Sequence, residues 1–459
     1  MSKSFDLLRR EFSAFYYDGF QIERDEGHIL IKFNFSVDKR FEFNHEIIIK
    51  TDNLTLLNPV NGETARRLVF SLGLAEAVSY WKAICPKRFV VRCGYLSDEQ
   101  IKWWKKLWFN GLGEFFFING IQTDIESFIA VENTLPAPKD TADTPYVKSG
   151  INIVPVGGGK DSAVTLALLK DISDTVMCFT VNDQQARTDT AAAAGLGKGR
   201  IIRSYREMDK ELLRLNSEGY LNGHTPFSSV VAFLSLYSAY LTGAENVILS
   251  NESSANEPSV QGLSVNHQYS KSYEFEKDFN LYTSKHLRLP VTYFSLLRPF
   301  CELQIAKMFA SLPQFHEAFK SCNVGSKKNI WCRNCAKCLF VYIILSPFLP
   351  PERLFEIFGC NMLEKCELKD DFDGMTGISG AKPFECVGTV SEVNFALAMT
   401  AERYKKLGLP LPCLLDYFSS VSHGVGNGDP FSSFDSKNNI PKDFIKYAKE
   451  MLAFVQSAD

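Results

Sequence analysis

Six consecutive residues, Gly157-Gly158-Gly159-Lys160-Asp161-Ser162, follow the apolar run Ile151–Val156 and open a helical pattern. Strand, glycine turn and helix in that order make an anion site. The glycines turn at little steric cost, successive N–H groups converge, and the helix N-terminus adds partial positive charge. Pyrophosphate is the fitting guest. The spacing is neither the Gly-x-x-x-x-Gly-Lys-Ser/Thr of a Walker loop nor the Gly-x-Gly-x-x-Gly of a dinucleotide fold. The competing reading is a glycine turn that opens a helix for structural reasons alone.

A second constellation is Cys322, Cys332, Cys335 and Cys338, spaced Cys-x9-Cys-x2-Cys-x2-Cys around Trp331 and Asn334. Four thiolates so spaced close a tetrahedral zinc site; an iron–sulfur cluster or free thiols are the alternatives.

The elements that must position these groups alternate. Strands at 151–156, 176–181, 200–204 and 246–250 interleave with helices at 161–169, 188–194 and 226–241, which predicts a parallel sheet with helices on both faces. Ligands of such sheets sit beyond the carboxyl ends of the strands. Two polar stretches fall there: Asn182-Asp183-Gln184-Gln185, and the run 251–257 with Asn251, Glu252, Ser253 and Asn256. The second suits magnesium, ribose or an amino-acid head group, or is a plain polar loop. Residues 268–276 are equally dense in donors, or form a solvated helix face. Arg298, after a further strand, makes either a bidentate carboxylate or phosphate contact or a surface ion pair.

Residues 1–145 mix strands at 28–33 and 46–49 with helices at 65–82 and 97–109, an α+β domain. Its Trp103, Trp104 and Trp108, with Phe115–Phe117, either stack on a base or sugar or fill a core. The proline-rich stretch 133–146 reads as a linker. Residues 146–345 form the α/β domain with the cysteine knuckle, and 346–459 a mainly helical extension. In it, 419–439 is a mobile loop, either a lid or disorder, and 441–455 an amphipathic helix.

The chain has 459 residues, 45% hydrophobic and 22% charged, with a formal net charge of -3. That balance, with an isoelectric point near 6.2, carries no signature of a nucleic-acid partner. Leu339–Leu345 is too short to span a bilayer and the N-terminus too charged for a signal peptide, so a cytoplasmic protein without a membrane partner is expected. The twelve cysteines are expected as reduced thiols or metal ligands rather than disulfides. The sequence is silent on oligomeric state.

The loop at 157–162 resembles the Ser-Gly-Gly-x-Asp-Ser loop of the ATP pyrophosphatase (PP-loop, HUP-like) superfamily, with Gly157 in place of the serine. That superfamily cleaves ATP between its α and β phosphates and adenylates an acyl or enol oxygen. The resemblance implies that Gly158, Gly159, Lys160, Asp161 and Ser162 grip the pyrophosphate, with Asp161 near magnesium; Asn182, by its place after the second strand, is the further candidate for ATP. The four cysteines resemble the zinc site of cyano-deazaguanine synthase, another PP-loop enzyme.

Taken with Asn251–Asn256, Trp331-Cys332, Pro347-Phe348-Leu349 and Lys382–Gly388, the chain resembles the ATP-dependent UDP-N-acetyl-α-D-muramoyl-L-alanyl-L-glutamate epimerases. That family inverts the terminal L-glutamate of a nucleotide-linked dipeptide, making the D-glutamate of peptidoglycan. The implied requirements are ATP and magnesium, with structural zinc. The chemistry is coherent. An α-proton beside a free carboxylate is very weakly acidic, and adenylating that carboxylate removes the charge and creates an electron sink. Inversion then needs groups that move a proton at the α-carbon. Cys386 is the candidate base, with Glu385, His267 and His423 as possible partners, unless each is merely structural. Lys160 and Asp161 would serve the adenylation. The alternatives are a PP-loop ligase or thiolation enzyme acting on a base or tRNA, and a nucleotide-binding module without turnover.

Overall fold

The computed structural model describes residues 3–139, 145–256, 266, 268–379, 382–383, 385–421 and 429–457. Its centre is one mixed sheet of ten strands among the described residues: β1 (Ala14–Asp25), β2 (His28–Val37), β3 (Phe41–Lys50), β4 (Arg88–Val91), β5 (Ala130–Asn133), β6 (Asn152–Pro155), β7 (Val176–Val181), β8 (Ile201–Glu207), β9 (Asn246–Leu249) and β10 (Thr292–Ser295). The order across it is β10-β9-β6-β7-β8-β3-β2-β1-β4-β5.

Strands β6 to β10 are mutually parallel, as the alternation predicts. Their burial follows from being covered on both sides: all six residues of β7 are buried, the pattern of a strand between two helical layers. Ile153, Met177, Phe179 and Ile202 enter one core, with the Phe227–Thr242 helix. Val154, Val176, Cys178 and Ile201 enter the other, with the Lys160–Leu168 helix and the C-terminal helices. By contrast β2 alternates, with Ile29, Ile31, Phe33, Phe35 and Val37 buried and the residues between them half-exposed, so its sheet face is packed on one side only.

The stretch around residue 145 connects β5 to β6, but the sheet does not stop there. β3 pairs antiparallel with β8, from Glu46 against Glu207 to Ile49 against Ser204. A buried ion pair reinforces the seam: Arg206 of β8 grips Glu76 of the Glu63–Trp81 helix at 2.6 Å, and His45 of β3 lies 3.2 Å from the same carboxylate. The expected α+β block thus shares one sheet and one core with the α/β block.

Trp104 and Trp108 are buried in that core with Phe233 and Tyr282, and Phe115 and Phe116 are buried too, so these have the core reading, while Trp103 is half-buried and Phe117 exposed. Cys366 and Cys413 form a disulfide, a correction to the expectation of reduced thiols throughout. Their Cα atoms stand 6.1 Å apart, within the span a bridge requires. No helix among the described residues is long and apolar enough to cross a membrane.

Candidate functional site

Between β6 and β9 the order of the parallel strands reverses, and the loops leaving their carboxyl ends diverge. This is the crevice in which α/β sheets bind ligands. The glycine loop leaves β6, and residues 250–256 leave β9.

Gly158 has φ +84°, and a Cβ there would meet the Ala186 Cβ at 2.9 Å; one on Gly159 would meet the Ser321 hydroxyl at 2.7 Å. Gly158 therefore requires glycine, while at Gly159 rotation of the Ser321 hydroxyl would make room for a small side chain. At Gly157 a Cβ would find no heavy atom within 4 Å, so the missing serine is not excluded by space. The Gly158 carbonyl accepts from the Lys320 N–H at 2.8 Å, which ties the segment leading into Cys322 to the loop. Ser162 caps inward, its hydroxyl donating to the Gly159 carbonyl at 3.0 Å.

Lys160 is buried and ion-paired with both Asp161 and Glu302. Burial opposes its charge, but the two carboxylates outweigh it and hold the ammonium above its ordinary range. Burial pushes the Glu302 carboxyl well above the carboxylate range; Lys160 opposes this, while Asp161 and Glu252 add to it. The Glu302 N–H donates to Glu392 at 2.6 Å, and Glu392 in turn accepts from the Thr389 N–H at 2.7 Å. Glu392 thus joins the C-terminal block to the crevice.

Asn182 ends β7 at φ +62°. Its side chain accepts from the Arg206 N–H at 2.8 Å and its carbonyl from Arg187 at 2.8 Å, so it shapes the rim beside the loop. On the β9 side the Asn251 carbonyl accepts from Ser295 at 2.6 Å, Ser253 donates to the Phe300 carbonyl at 3.0 Å, and Asn256 accepts from the Tyr273 N–H at 2.9 Å. These bonds fix the loop and leave the Glu252 carboxyl buried near Lys271 and Glu302.

Arg298 is fully buried. Its guanidinium pairs with Glu276 at 3.2 Å and donates to the carbonyls of Glu252 at 2.7 Å and Lys271 at 2.6 Å. It is therefore not the surface group weighed above: it holds the two segments that carry Glu252 and Lys271.

Lys271 Nζ lies 3.0 Å from Cys386 Sγ and 3.4 Å from Gln268 Oε1. Burial works against its charge, and Cys386, Glu252 and Asp161 together raise it. Lys337 donates to the Cys386 carbonyl, and Glu385 accepts from Asn323 at 3.4 Å. The glycine loop, Glu252 and Cys386 are thereby brought into one polar cluster. A neighbouring cavity of about 450 Å³ is walled by Ser253, Asn256, Cys301, Glu392 and Asp435. His267, His423 and residues 422–428 of the expected loop lie outside the described residues; Asp435, within that loop, donates its N–H to the Pro299 carbonyl at 2.9 Å.

The residues that sequence reading missed are Lys271, Glu302, Glu392 and Lys337. Lys271 stood inside the donor-rich run 268–276, a signal that was there to be used. Glu302 and Glu392 carry no motif.

The sulfur atoms of Cys322, Cys332, Cys335 and Cys338 all lie within 4.8 Å of one another. Zinc–sulfur bonds of 2.3 Å in a tetrahedron place sulfurs about 3.8 Å apart, and Cys332 and Cys338 are 3.8 Å apart. Backbone N–H groups of Gly325 and Cys332 reach the Cys322 sulfur at 3.0 and 3.3 Å, the donors a thiolate ligand needs. The donor set fits zinc.

Residues 7–296 match the family described as MurL N-terminal domain, and residues 317–412 match the MurL C-terminal domain. The UDP-N-acetyl-alpha-D-muramoyl-L-alanyl-L-glutamate epimerase of Xanthomonas oryzae pv. oryzae is 33% identical over 396 residues, 84% of this chain and 86% of the relative. Proteins of the same name from Micromonospora sp. and Salinispora tropica are 33% and 32% identical, each over 74% of this chain and over 76% and 74% of their own lengths. With both halves of the family matched and the similarity running across the crevice, the chain belongs to the MurL family.

Proposed function

We propose that this protein inverts the terminal L-glutamate of UDP-N-acetylmuramoyl-L-alanyl-L-glutamate in an ATP-dependent reaction. The observation that carries this reading is the convergence of the glycine loop, Lys160 and the Cys386–Lys271 pair on one cluster, in a chain whose relatives bear that epimerase's name. The strand order about β6 and the PP-loop resemblance support an ATP pyrophosphatase site.

In this mechanism the glycine loop and Lys160 receive the β and γ phosphates. A glutamate carboxylate oxygen attacks the α phosphorus, the α–β bond breaks and pyrophosphate leaves. Asp161 and Glu252 would hold magnesium, which supplies charge neutralisation at the leaving phosphates. The acyl-adenylate acidifies the α-carbon, and Cys386 moves the proton there, its thiolate stabilised by the Lys271 ammonium. A proton delivered to the opposite face by a second acid, for which Glu385 is the candidate, gives the D centre, and water then attacks the acyl carbonyl, releasing AMP. Zinc on the four cysteines would be structural, fixing Lys320 and Ser321 against the loop.

The test is incubation with ATP, magnesium and the UDP-linked dipeptide in deuterated water. Pyrophosphate release together with an inverted, deuterated α-carbon is expected. No substrate-stimulated pyrophosphate would reject the reading and return the chain to a ligase-type chemistry.

A further inference from the structure

Lys160, the cation of the glycine loop, is already matched. Asp161 and Glu302 both pair with it, and Glu252 acts on Glu302 as a further carboxylate. Ser162, the one hydroxyl in the loop at 157–162, is turned back on the Gly159 carbonyl. A polyphosphate at the loop therefore meets backbone N–H groups but no uncommitted side-chain cation of the loop itself. Charge to hold it has to come from a neighbouring element.

One guanidinium stands there. Arg187 belongs to the helix Gln185–Ala193, which follows β7, and its backbone abuts the loop: a Cβ on Gly158 would lie 3.2 Å from the Arg187 nitrogen. Its side chain turns to the end of β7, where Nη1 donates to the carbonyls of Val181 and Asn182. Pro155 of β6 pairs with Phe179 of β7, so the register carries Gly157 level with Val181, one strand spacing of about 4.8 Å away. The space over Gly157 is open, since an added Cβ there would meet no heavy atom within 4 Å.

Arg187 is half-buried, and among the described residues it has no ion pair; its Nε is buried without a hydrogen-bond partner. The carboxylate that acts on it, Asp183, is itself bonded by Tyr205 at 2.7 Å and lies 3.8 Å from Arg203. Burial works against the Arg187 charge and outweighs Asp183. A cation drawn out of water without a counter-ion carries a cost that an anion at this place would relieve.

We infer that Arg187 is a further phosphate-binding residue of this site: Nη1 braces the guanidinium on the two strand-end carbonyls, and Nη2 is left to donate to the β–γ end of the polyphosphate over the glycine loop. The division of labour is then clear. The loop supplies backbone donors, Lys160 locks the loop to Asp161 and Glu302, and Arg187 supplies the uncommitted positive charge. This inference rests on the ATP reading above, and the experiment separates the two.

The test is calorimetric titration of the full chain, in the presence of magnesium, with inorganic pyrophosphate and with α,β-methylene ATP, repeated on Arg187→Gln and Arg187→Lys. Circular dichroism melts check the fold. Arg187→Gln keeps an amide donor for the strand carbonyls but loses the charge; both affinities should fall about tenfold or more, and their decline with added salt should become shallower. Arg187→Lys returns the charge and should recover most of the loss. Native affinity in Arg187→Gln, or a loss that Arg187→Lys does not reverse and that leaves the salt dependence unchanged, would make the residue a brace for β7 and overturn the inference while the ATP site stands. If the native chain binds neither probe, the ATP reading fails, and this inference with it.

Discussion

Lys271 Nζ and Cys386 Sγ, 115 positions apart in the chain, stand 3.0 Å from each other. An ammonium at that distance favours the thiolate by direct charge, the form a cysteine needs to act as the base proposed above. Cys386→Ala should therefore lower α-carbon deuterium exchange by about 10²–10⁴ while leaving substrate-dependent pyrophosphate release within a few-fold. Lys271→Gln should shift the rising limb of the pH–rate profile upward, because the thiolate loses its counter-ion. Equal loss of both activities in Cys386→Ala would remove the cysteine from the proton-transfer step.

The glycine loop gives a paired prediction. Gly158→Ala faces both a left-handed backbone and the Ala186 Cβ at 2.9 Å, and should abolish ATP-dependent pyrophosphate formation. Gly157→Ser enters open space and should retain it. Pyrophosphate release measured on both variants decides the matter, and the reverse ranking would sink the assignment of the loop.

Glu76 sets an acid limit on stability. Burial works against its charge, but Arg206 and His45 prevail and bring it from 4.5 to about 2. A depressed carboxyl contributes stability that is complete above its unfolded value near 4.5 and is lost as pH falls toward 2. The difference corresponds to about 3 kcal/mol. Glu76→Gln should thus cost about 3 kcal/mol at pH 7 in denaturant melts, with the gap to the native chain closing by pH 2–3. A pH-independent gap would mean that shape, not charge, is what the residue supplies.

Metal analysis addresses the knuckle. One equivalent of zinc per chain is expected, lost in Cys335→Ser. Because Lys320 donates to Gly158 two residues before Cys322, that variant should also weaken ATP binding, measured by titration with a non-hydrolysable analogue. Full ATP affinity in zinc-free protein would separate the knuckle from the loop.

The glycine turn between strand and helix and the grouping of the four cysteines were legible in the sequence because each is local: six and seventeen consecutive residues hold all the information. The parallel half of the sheet was legible for the same reason, since β7 and the Phe227–Thr242 helix are marked by continuous apolar runs. What escaped depends on distant pairing. Nothing in the composition of Glu46–Ile49 announces Ser204–Glu207 as its partner, so the sheet's continuity across residue 145 was invisible. Glu302 and Glu392 become site residues through helix packing between separate blocks. Arg298 was legible as chemistry but not as location, because its partner Glu276 lies on a helix whose burial no local pattern declares.

The bonds from Gln304 to the carbonyls of Phe431 and Ser433, and from Asp435 to Pro299, give the crevice a history as well as a shape. Roughly 270 residues separate Gly159 from Asp429, so at about 5–20 residues per second the glycine loop leaves the ribosome some 15–50 s before its last wall exists. Glu302 joins the loop, β6 and the Lys160 helix about halfway through that interval and Glu392 near its end, and Asp435 comes only after it. The crevice is therefore complete only when the closing segment docks, and a ribosome that stalls short of it releases a chain with a glycine loop and no finished wall.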